Sequence, residues 1–435
     1  MNICMFTNTY LPHVGGVARS VSSITHDLRK AGHKVLVITP TFSGDDELDE
    51  RHVVRVPAIQ NFNGSDFSVR LPFPFVFMKK IEDFDPHIVH AHHPFLLGDA
   101  ALRVSRRRKL PLAFTHHTLY EKYTHYVPLD SKTLQDFVIR LSSEYANLCT
   151  SVIAPSQSIA RLIRGRGVAR PIWVIPSGVD TDSFHQGDGG RFRQAHGISQ
   201  DAVVVGHVGR LAPEKNLTYL AEAAALFLKA HSEARFLVIG AGPSREGIRR
   251  IFEEYGLSQQ LSMPGEKTGW ELADAYKAMD LFVFASKTET QGMVLTEAMA
   301  AGSPVIALNA SGSREVVQDG INGRLLAADT PPEKFAAAMG DFLDNKEKGE
   351  RWRNNARETA KAFSRRTCAD KLCQMYESLV DEPVSAKEDV DRRMSSWDGL
   401  LEMIKAEWDL TSEKMKAALG TVTQGSVKSE HKDGP

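Results

Sequence analysis

"LFVFASKTETQGMVLTEAMAAGSPVIAL", residues 281–308, holds a strand, a loop, a helix and a second strand in one short span. Leu281 to Ala285 are apolar throughout, and so is "PVIAL" at 304–308. Neither run alternates apolar with polar residues, so both read as strands of a parallel sheet covered on its two faces. Between them, Val294, Leu295, Ala298, Met299 and Ala301 recur at helical spacing and hold one helix face to the sheet. The loop at 286–292 therefore lies beyond the carboxyl end of a strand, where such sheets bind ligands. Two glutamates flank this corner, Glu289 in the loop and Glu297 one turn into the helix. Helix starts attract anions, so a pair of carboxylates there asks for a ligand that carries hydroxyls as well as negative charge.

The same alternation runs from end to end. Strands are expected at 2–8, 34–40, 87–92, 111–117, 151–156 and 172–178, and again at 202–209, 235–242, 281–286 and 304–308. Helical patterns lie between them, for example at 17–31, 216–231, 270–279 and 293–301. This order predicts an α/β protein of two Rossmann-like, doubly wound domains facing each other across a cleft. The polar, glycine-rich stretch 177–201 has no strong period and reads as the join between them. The expected division is an N-terminal domain at 1–178, a linker at 179–200, a C-terminal domain at 201–363, a helix at 364–380 and a helical tail at 381–435. In the tail, Met394, Trp397, Leu401, Ile404, Trp408, Thr411, Met415 and Ala418 recur at steps of three and four. Such a stripe either packs on the body of the protein or pairs with a second copy as a homo-oligomer. The polar residues after 421 read as disordered.

With 435 residues and a net charge of −1, the chain is long enough for two self-sufficient cores. Cys4, Cys149, Cys368 and Cys373 are too scattered for a disulfide framework or a zinc site, so a reducing, cytoplasmic compartment is expected. "MNICMFTNTYLP" lacks a basic leader and reads as a strand, not a signal peptide. No stretch is long and apolar enough for a bilayer span. Charge is uneven, however. Residues 101–170 hold twelve Lys or Arg against four Asp or Glu, densest around Arg106, Arg107 and Arg108, which favours an anionic partner. The segment 381–433 has twelve acidic and eight basic residues and is unsuited to an anionic membrane. Nucleic acid is not expected as a partner.

Three further stretches carry chemistry. In "TYLPHVGGVARS" (9–20), Gly15 and Gly16 follow a strand and open a helix, so backbone N–H groups can approach a bulky anion. "GHVGRLAPEKNL" (206–217) puts Arg210 and Lys215 on one loop at the ligand end of a strand, where two cations neutralise a diphosphate. Gly292 frees the third loop, and the N–H groups of Met293 and Val294 make an anion nest. Glu297 is then placed to accept two hydrogen bonds from a ribose cis-diol, and Glu289 to reach the hydroxyls of a second sugar. A sugar–diphosphate–nucleoside satisfies all of these groups. "GAGPSR" (240–245) resembles a dinucleotide fingerprint, but Arg245 stands where the third glycine belongs and the motif falls in the second βα unit. A nicotinamide dehydrogenase and a sugar-nucleotide epimerase are the rival readings.

Taken together, the Glu289–Glu297 spacing, the Gly-Gly-Val loop and the Arg210/Lys215 pair resemble the retaining glycosyltransferases of family GT4, which have the GT-B fold, over residues 1 to roughly 380. The resemblance implies that Glu297 binds the donor ribose and Glu289 the donor sugar. It also implies that Arg210 and Lys215 hold the diphosphate with Gly16 against it, and that the last helix crosses back to the first domain. "AFTHHTLYEKYTHYVPLD" (113–130) supplies His117 at the place of a family histidine that contacts the donor sugar, while His116 reads as a core histidine. The same run, with Tyr120, Tyr123 and His125, is similar to the acceptor-side loop of monoglucosyl diacylglycerol synthases within GT4. Acceptors there are membrane lipids. "DFSVRLPFPFVFMKK" (66–80), with Phe75 among its aromatics, and the basic run at Arg106 to Arg108 would then form a face for an anionic membrane.

The implied activity is transfer of a hexose, with UDP-glucose expected as donor and diacylglycerol as acceptor, by a protein peripheral on the inner face of the cell membrane. A GT4 transferase using a UDP- or GDP-sugar on a soluble or polysaccharide acceptor is the alternative. Cations and helix N–H groups stabilise a departing diphosphate without a metal. Asp83-Phe84-Asp85, the one Asp-x-Asp match, precedes a strand at the wrong end for a ligand, so no metal and no cofactor are expected.

Overall fold

A computed structural model of the chain describes residues 1–13, 15–42, 52–59, 69–70, 75–122, 132–381 and 397. The first lobe runs β1 (Asn2–Phe6), α1 (Gly16–Lys30), β2 (Lys34–Pro40), β3 (Val53–Val56), β4 (Ala58–Ile59), β5 (Val69–Arg70), α2 (Phe75–Phe84), β6 (Ile88–Ala91), α3 (Leu97–Arg108), β7 (Leu112–Thr115), α4 (Lys132–Leu148), β8 (Ser151–Ala154), α5 (Gln157–Gly165) and β9 (Ile172–Val174). The second continues with α6 (Thr181–His185), α7 (Gly189–Ala195), β10 (Val204–Val208), α8 (Leu217–Ala230), β11 (Arg235–Ile239), α9 (Arg245–Glu254), β12 (Leu261–Gly265), α10 (Gly269–Lys277), β13 (Leu281–Phe284), α11 (Met293–Ala301), β14 (Val305–Leu308), α12 (Ser313–Val316), β15 (Gly323–Leu326), α13 (Pro332–Leu343) and α14 (Lys346–Ala362). The helix α15 (Arg365–Asp381) follows.

Each lobe is one parallel sheet wrapped by helices. The first has strand order β3-β2-β1-β6-β7-β8-β9 and the second β12-β11-β10-β13-β14-β15. Strand order reverses between β1 and β6 and between β10 and β13, the points where crevices open in doubly wound sheets. The central strands β6, β7, β8, β13 and β14 are buried at every position, which is why their sequences are apolar without alternation. The expected strand set omitted β3, β12 and β15, which lie at sheet edges and are only partly buried. Solvent on one side lets polar residues such as Arg55, Ser262 and Arg324 enter, and the apolar signal is lost.

The stretch 179–200, expected as a linker, is instead part of the second lobe. Asp180 caps α6 by accepting from Ser183 N, and Asp188 caps α7 by accepting from Arg191 N. Phe192 and Ile198 join the core of the second sheet. Buried Asp274 on α10 accepts from Asp188 N at 2.6 Å and from Arg191 Nε at 2.7 Å. Short capped helices bury too few residues to show a period, hence the misreading.

Chain crossing is settled by α15. Leu372, Met375, Tyr376 and Leu379 pack with Ile3, Met5, Val21 and Leu28 of the first lobe. Arg365 pairs with Asp27 on α1 at 2.6 Å and with Asp180 at 3.5 Å. Of the tail's periodic stripe, Trp397 is the one described residue. It is 1% exposed within the first-lobe core, lies 5.4 Å from the Tyr145 ring and donates Nε1–H to Asp99 Oδ1 at 3.2 Å. At this position the stripe packs on the body of the protein. Apart from Asp381, which ends α15, the rest of 381–435 lies outside the described residues. Among the described residues, no helix is long and apolar enough to cross a membrane.

Candidate functional site

The carboxyl ends of β10, β11, β13 and β14 converge on one side of the second lobe. After β10, Gly209 N and Leu211 N bond to Ile239 O and Ala241 O, so the first two βα loops run together. A Cβ on Gly240 would stand 1.9 Å from Gly209 O, so the "GAG" glycines serve backbone packing between these loops. Arg210 then pairs with Glu214, and Lys215, on a 3-10 turn over Pro213–Lys215, pairs with Glu289. The loop after β13 is tied to that turn through Ser286 Oγ and Thr288 Oγ1, both donating to Glu214 O. Gly292 has φ +75° and ψ +57°, the left-handed conformation that ends the loop and starts α11. Gly312 lies beneath Glu289, because a Cβ there would meet Glu289 Cβ at 2.6 Å.

Glu297 is 4% exposed, and its Oε2 accepts from the Tyr276 hydroxyl at 2.7 Å. Its Oε1 faces Arg19 of the first lobe at 3.7 Å. Each oxygen of this buried carboxylate thus faces a polar or charged group, as burial of a carboxylate requires. Burial, then the charge of Glu297, pushes the Tyr276 hydroxyl well above its usual range, which keeps it a donor. The cluster thus holds two cations, Arg210 and Lys215, each paired with a glutamate, and a buried carboxylate, Glu297, at the same end of the sheet.

From the first lobe, the N-terminus of α1 brings Gly15 and Gly16 toward the same cleft. Gly15 is extended at φ −174°, so neither position needs glycine for its backbone. What Gly16 offers is space, for a Cβ there meets nothing within 4 Å. His117, past the end of β7, bonds through Nε2 to His92 Nδ1 at 3.0 Å. Its carbonyl accepts from Thr290 Oγ1 at 3.0 Å. Ser156 Oγ donates to Thr290 O at 2.7 Å, and Gln291 exchanges hydrogen bonds with Ser177 N and O at 2.6 and 2.8 Å. Glu315 accepts from Gln157 N and Ser158 N at the start of α5. The loop that carries Glu289 is thus clamped to the first lobe beside His117.

The acceptor-side residues do not all gather. Tyr120 packs on Phe95 and His116 at 5.2 and 5.8 Å, and its buried hydroxyl has no hydrogen-bond partner among the described residues. Tyr123 and His125 lie outside the described residues, and for Phe75 only the backbone, at the start of α2, is described. Arg106, Arg107 and Arg108 do not reach the cleft. They end α3, and a helix that returns from a parallel strand ends beside the strands' amino termini. Arg106 donates to Leu148 O, just before β8, and Arg108 pairs with Asp85, just before β6. The basic run therefore sits on the face opposite the site and is partly consumed by internal contacts. Asp83 and Asp85 lie at that same far end.

Several residues here were missed from the sequence. Arg19, Tyr276 and Gln291 carry no local signal, since an arginine or tyrosine on an amphipathic helix reads as surface or core. His92 had one, a His-x-His pair closing a strand two positions from the end of its apolar run.

Two families match the chain. Residues 14–183 match Glycosyltransferase Family 4, and residues 189–359 match Glycosyl transferases group 1. An alpha-monoglucosyldiacylglycerol synthase from Acholeplasma laidlawii is 29% identical, over 88% of this chain and 98% of its own length. A GDP-mannose-dependent alpha-mannosyltransferase from Corynebacterium glutamicum is also 29% identical, over 79% and 81%. Among solved structures, Anabaena HepE in complex with UDP superposes with a TM-score of 0.71 at 21% identity, covering 87% of this chain and 100% of that one. That likeness concerns the fold.

Proposed function

This chain belongs to the family 4 glycosyltransferases, two-lobed enzymes of the GT-B fold, and from that premise we propose that it moves glucose from UDP-glucose to the free hydroxyl of diacylglycerol with retention at the sugar carbon. The observation that carries this reading is the pairing at the second-lobe strand ends. Lys215 paired with Glu289 of the loop after β13, and Glu297 of the adjoining helix held by Tyr276, put a cation and two carboxylates at the ends of neighbouring strands. In this reading Glu297 takes the ribose diol, Lys215 and Arg210 the diphosphate with the α11 N–H groups, and Glu289 and His117 the sugar. The bond from the sugar carbon to the β-phosphate oxygen breaks as the acceptor oxygen bonds on the same face. The acceptor proton passes to that phosphate oxygen. The cations stabilise the departing charge, and the clamp between Thr290 and His117 excludes water.

The lipid acceptor is supported by the names of two relatives, the Acholeplasma synthase and one from Streptococcus pneumoniae at 29% identity. A second reading, a GDP-mannose-dependent mannosyltransferase, is favoured by a relative of equal identity, the Corynebacterium glutamicum enzyme. On the first-lobe loop after β6, Leu96 is 39% exposed and supplies an apolar contact for a lipid. One experiment separates these readings. The protein is incubated with labelled UDP-glucose or GDP-mannose, with and without vesicles containing diacylglycerol. Label in the lipid fraction from UDP-glucose alone supports the proposal; label only in water-soluble product refutes the lipid acceptor, and transfer from GDP-mannose alone refutes the donor.

A further inference from the structure

β6 and β7 are neighbouring parallel strands, with His90 in register with Ala113 and Ala91 with Phe114. Side chains two apart share a sheet face, so His90 and His92 lie beside Thr115 and His117. Two hydrogen bonds of equal offset follow. His90 Nε2 meets Thr115 Oγ1 at 2.7 Å, and His92 Nδ1 meets His117 Nε2 at 3.0 Å. The His92 and His117 rings stack at 5.2 Å and 27°. His90, 4.1 Å from the His92 ring, is itself held by the Tyr376 hydroxyl on α15 at 2.6 Å. His92 is fully buried, and its Nε2 has no hydrogen-bond partner among the described residues.

The direction of the shared proton follows from these facts. Burial holds His92 and His117 well below the usual histidine range, so both rings are neutral at pH 7 and each has one N–H. A buried N–H without an acceptor costs more than an unfilled lone pair. The His92 proton therefore sits on Nδ1, bonded to His117, and not on the orphaned Nε2. His117 Nε2 must then accept, which leaves its own proton on Nδ1, the ring nitrogen that does not bond to His92, in a residue that is half-buried as a whole.

We propose that His92 is a positioning residue that holds His117 in the Nδ1–H tautomer and so presents a hydrogen-bond donor to the sugar in the cleft. The proposal rests on the reading that His117 faces the donor sugar. His92→Phe keeps the ring and its stacking but removes the bond. His92→Asn carries an amide group near the Nδ1 position, whereas His92→Gln carries it one bond further out. Expected are a fall in kcat of roughly tenfold to a hundredfold for His92→Phe with little change in donor KM, substantial recovery in His92→Asn and none in His92→Gln. In nitrogen-15 spectra, wild-type His117 should show the Nδ1–H tautomer, and His92→Phe a mixture. Wild-type His117 protonated on Nε2 overturns the proposal even if the Phe variant fails to fold; so does a folded His92→Phe enzyme with unchanged kcat. If His117→Ala keeps full activity, the assignment of His117 fails instead, a result distinct from failure at His92.

Discussion

Replacing Glu297 by Gln tests the ribose assignment most sharply. The side chain keeps its size, and the Tyr276 hydroxyl can still donate to the remaining oxygen, now at 2.7 Å from Glu297 Oε2. What changes is the other atom, Oε1, which becomes an NH2 facing both the ligand side and Arg19, 3.7 Å away. A carboxylate accepting from a diol makes two charge-assisted bonds, each contributing about 1.5–3 kcal/mol. The amide retains one neutral bond of about 1 kcal/mol and sets a donor against a donor. The net loss is about 2–5 kcal/mol, or roughly 30-fold to 5000-fold in Kd. The assay is calorimetric titration with UDP and GDP, each compared with its 2′,3′-dideoxy form. Glu297→Gln should weaken the parent nucleotide by that factor and the dideoxy form by less than about threefold. Equal weakening of both forms, in a variant with unchanged melting temperature, would refute the ribose contact.

Three other outcomes are expected. Lys215→Met should weaken nucleoside diphosphate binding at least about tenfold and reduce its salt dependence, since one charge-assisted contact is lost; titrations at two salt concentrations check this. Trp397→Ala removes a side chain buried in the first-lobe core. Urea denaturation should show a loss of about 3 kcal/mol, and an effect below about 0.5 kcal/mol would mean that the tail contributes nothing to that core. Stability should also fall in acid. Burial lowers His90 to about 3 and His116 to about 4 in the first lobe, and His207 to about 4 in the second. Their folded pKa values lie below the unfolded 6.5, so the unfolded chain binds more protons as pH drops. Stability is complete above pH 6.5 and is lost by about 2 kcal/mol per group at pH 5. With more such histidines, His92 included, the first lobe should unfold in acid before the second, visible as two steps in urea melts at pH 5.

The fold was legible because buried parallel strands write themselves as unbroken apolar runs. "LFVFA" and "PVIAL" need no partner to be recognised, whereas the edge strands β12 and β15 and the short helices α6 and α7 depend on neighbours to bury them. That four charged residues gather at the second-lobe strand ends was legible for a similar reason. Arg210, Lys215, Glu289 and Glu297 lie on two βα corners, after β10 and β13, and the chain's local geometry alone delivers them to the carboxyl end of the sheet.

Contacts between elements distant in sequence were not legible. Nothing local tells that Tyr276 holds Glu297, that Arg19 approaches from the other lobe, or that Arg106 to Arg108 end on the far face. By itself the amino-acid sequence determined two doubly wound lobes and the charged corners of one of them, because hydrophobic period and loop chemistry act over a few residues. Only the tertiary structure decided which charges meet across the cleft, which histidine supports His117 and where Trp397 docks. Those are matters of side-chain packing between strands and helices that the chain brings together from tens to hundreds of residues apart.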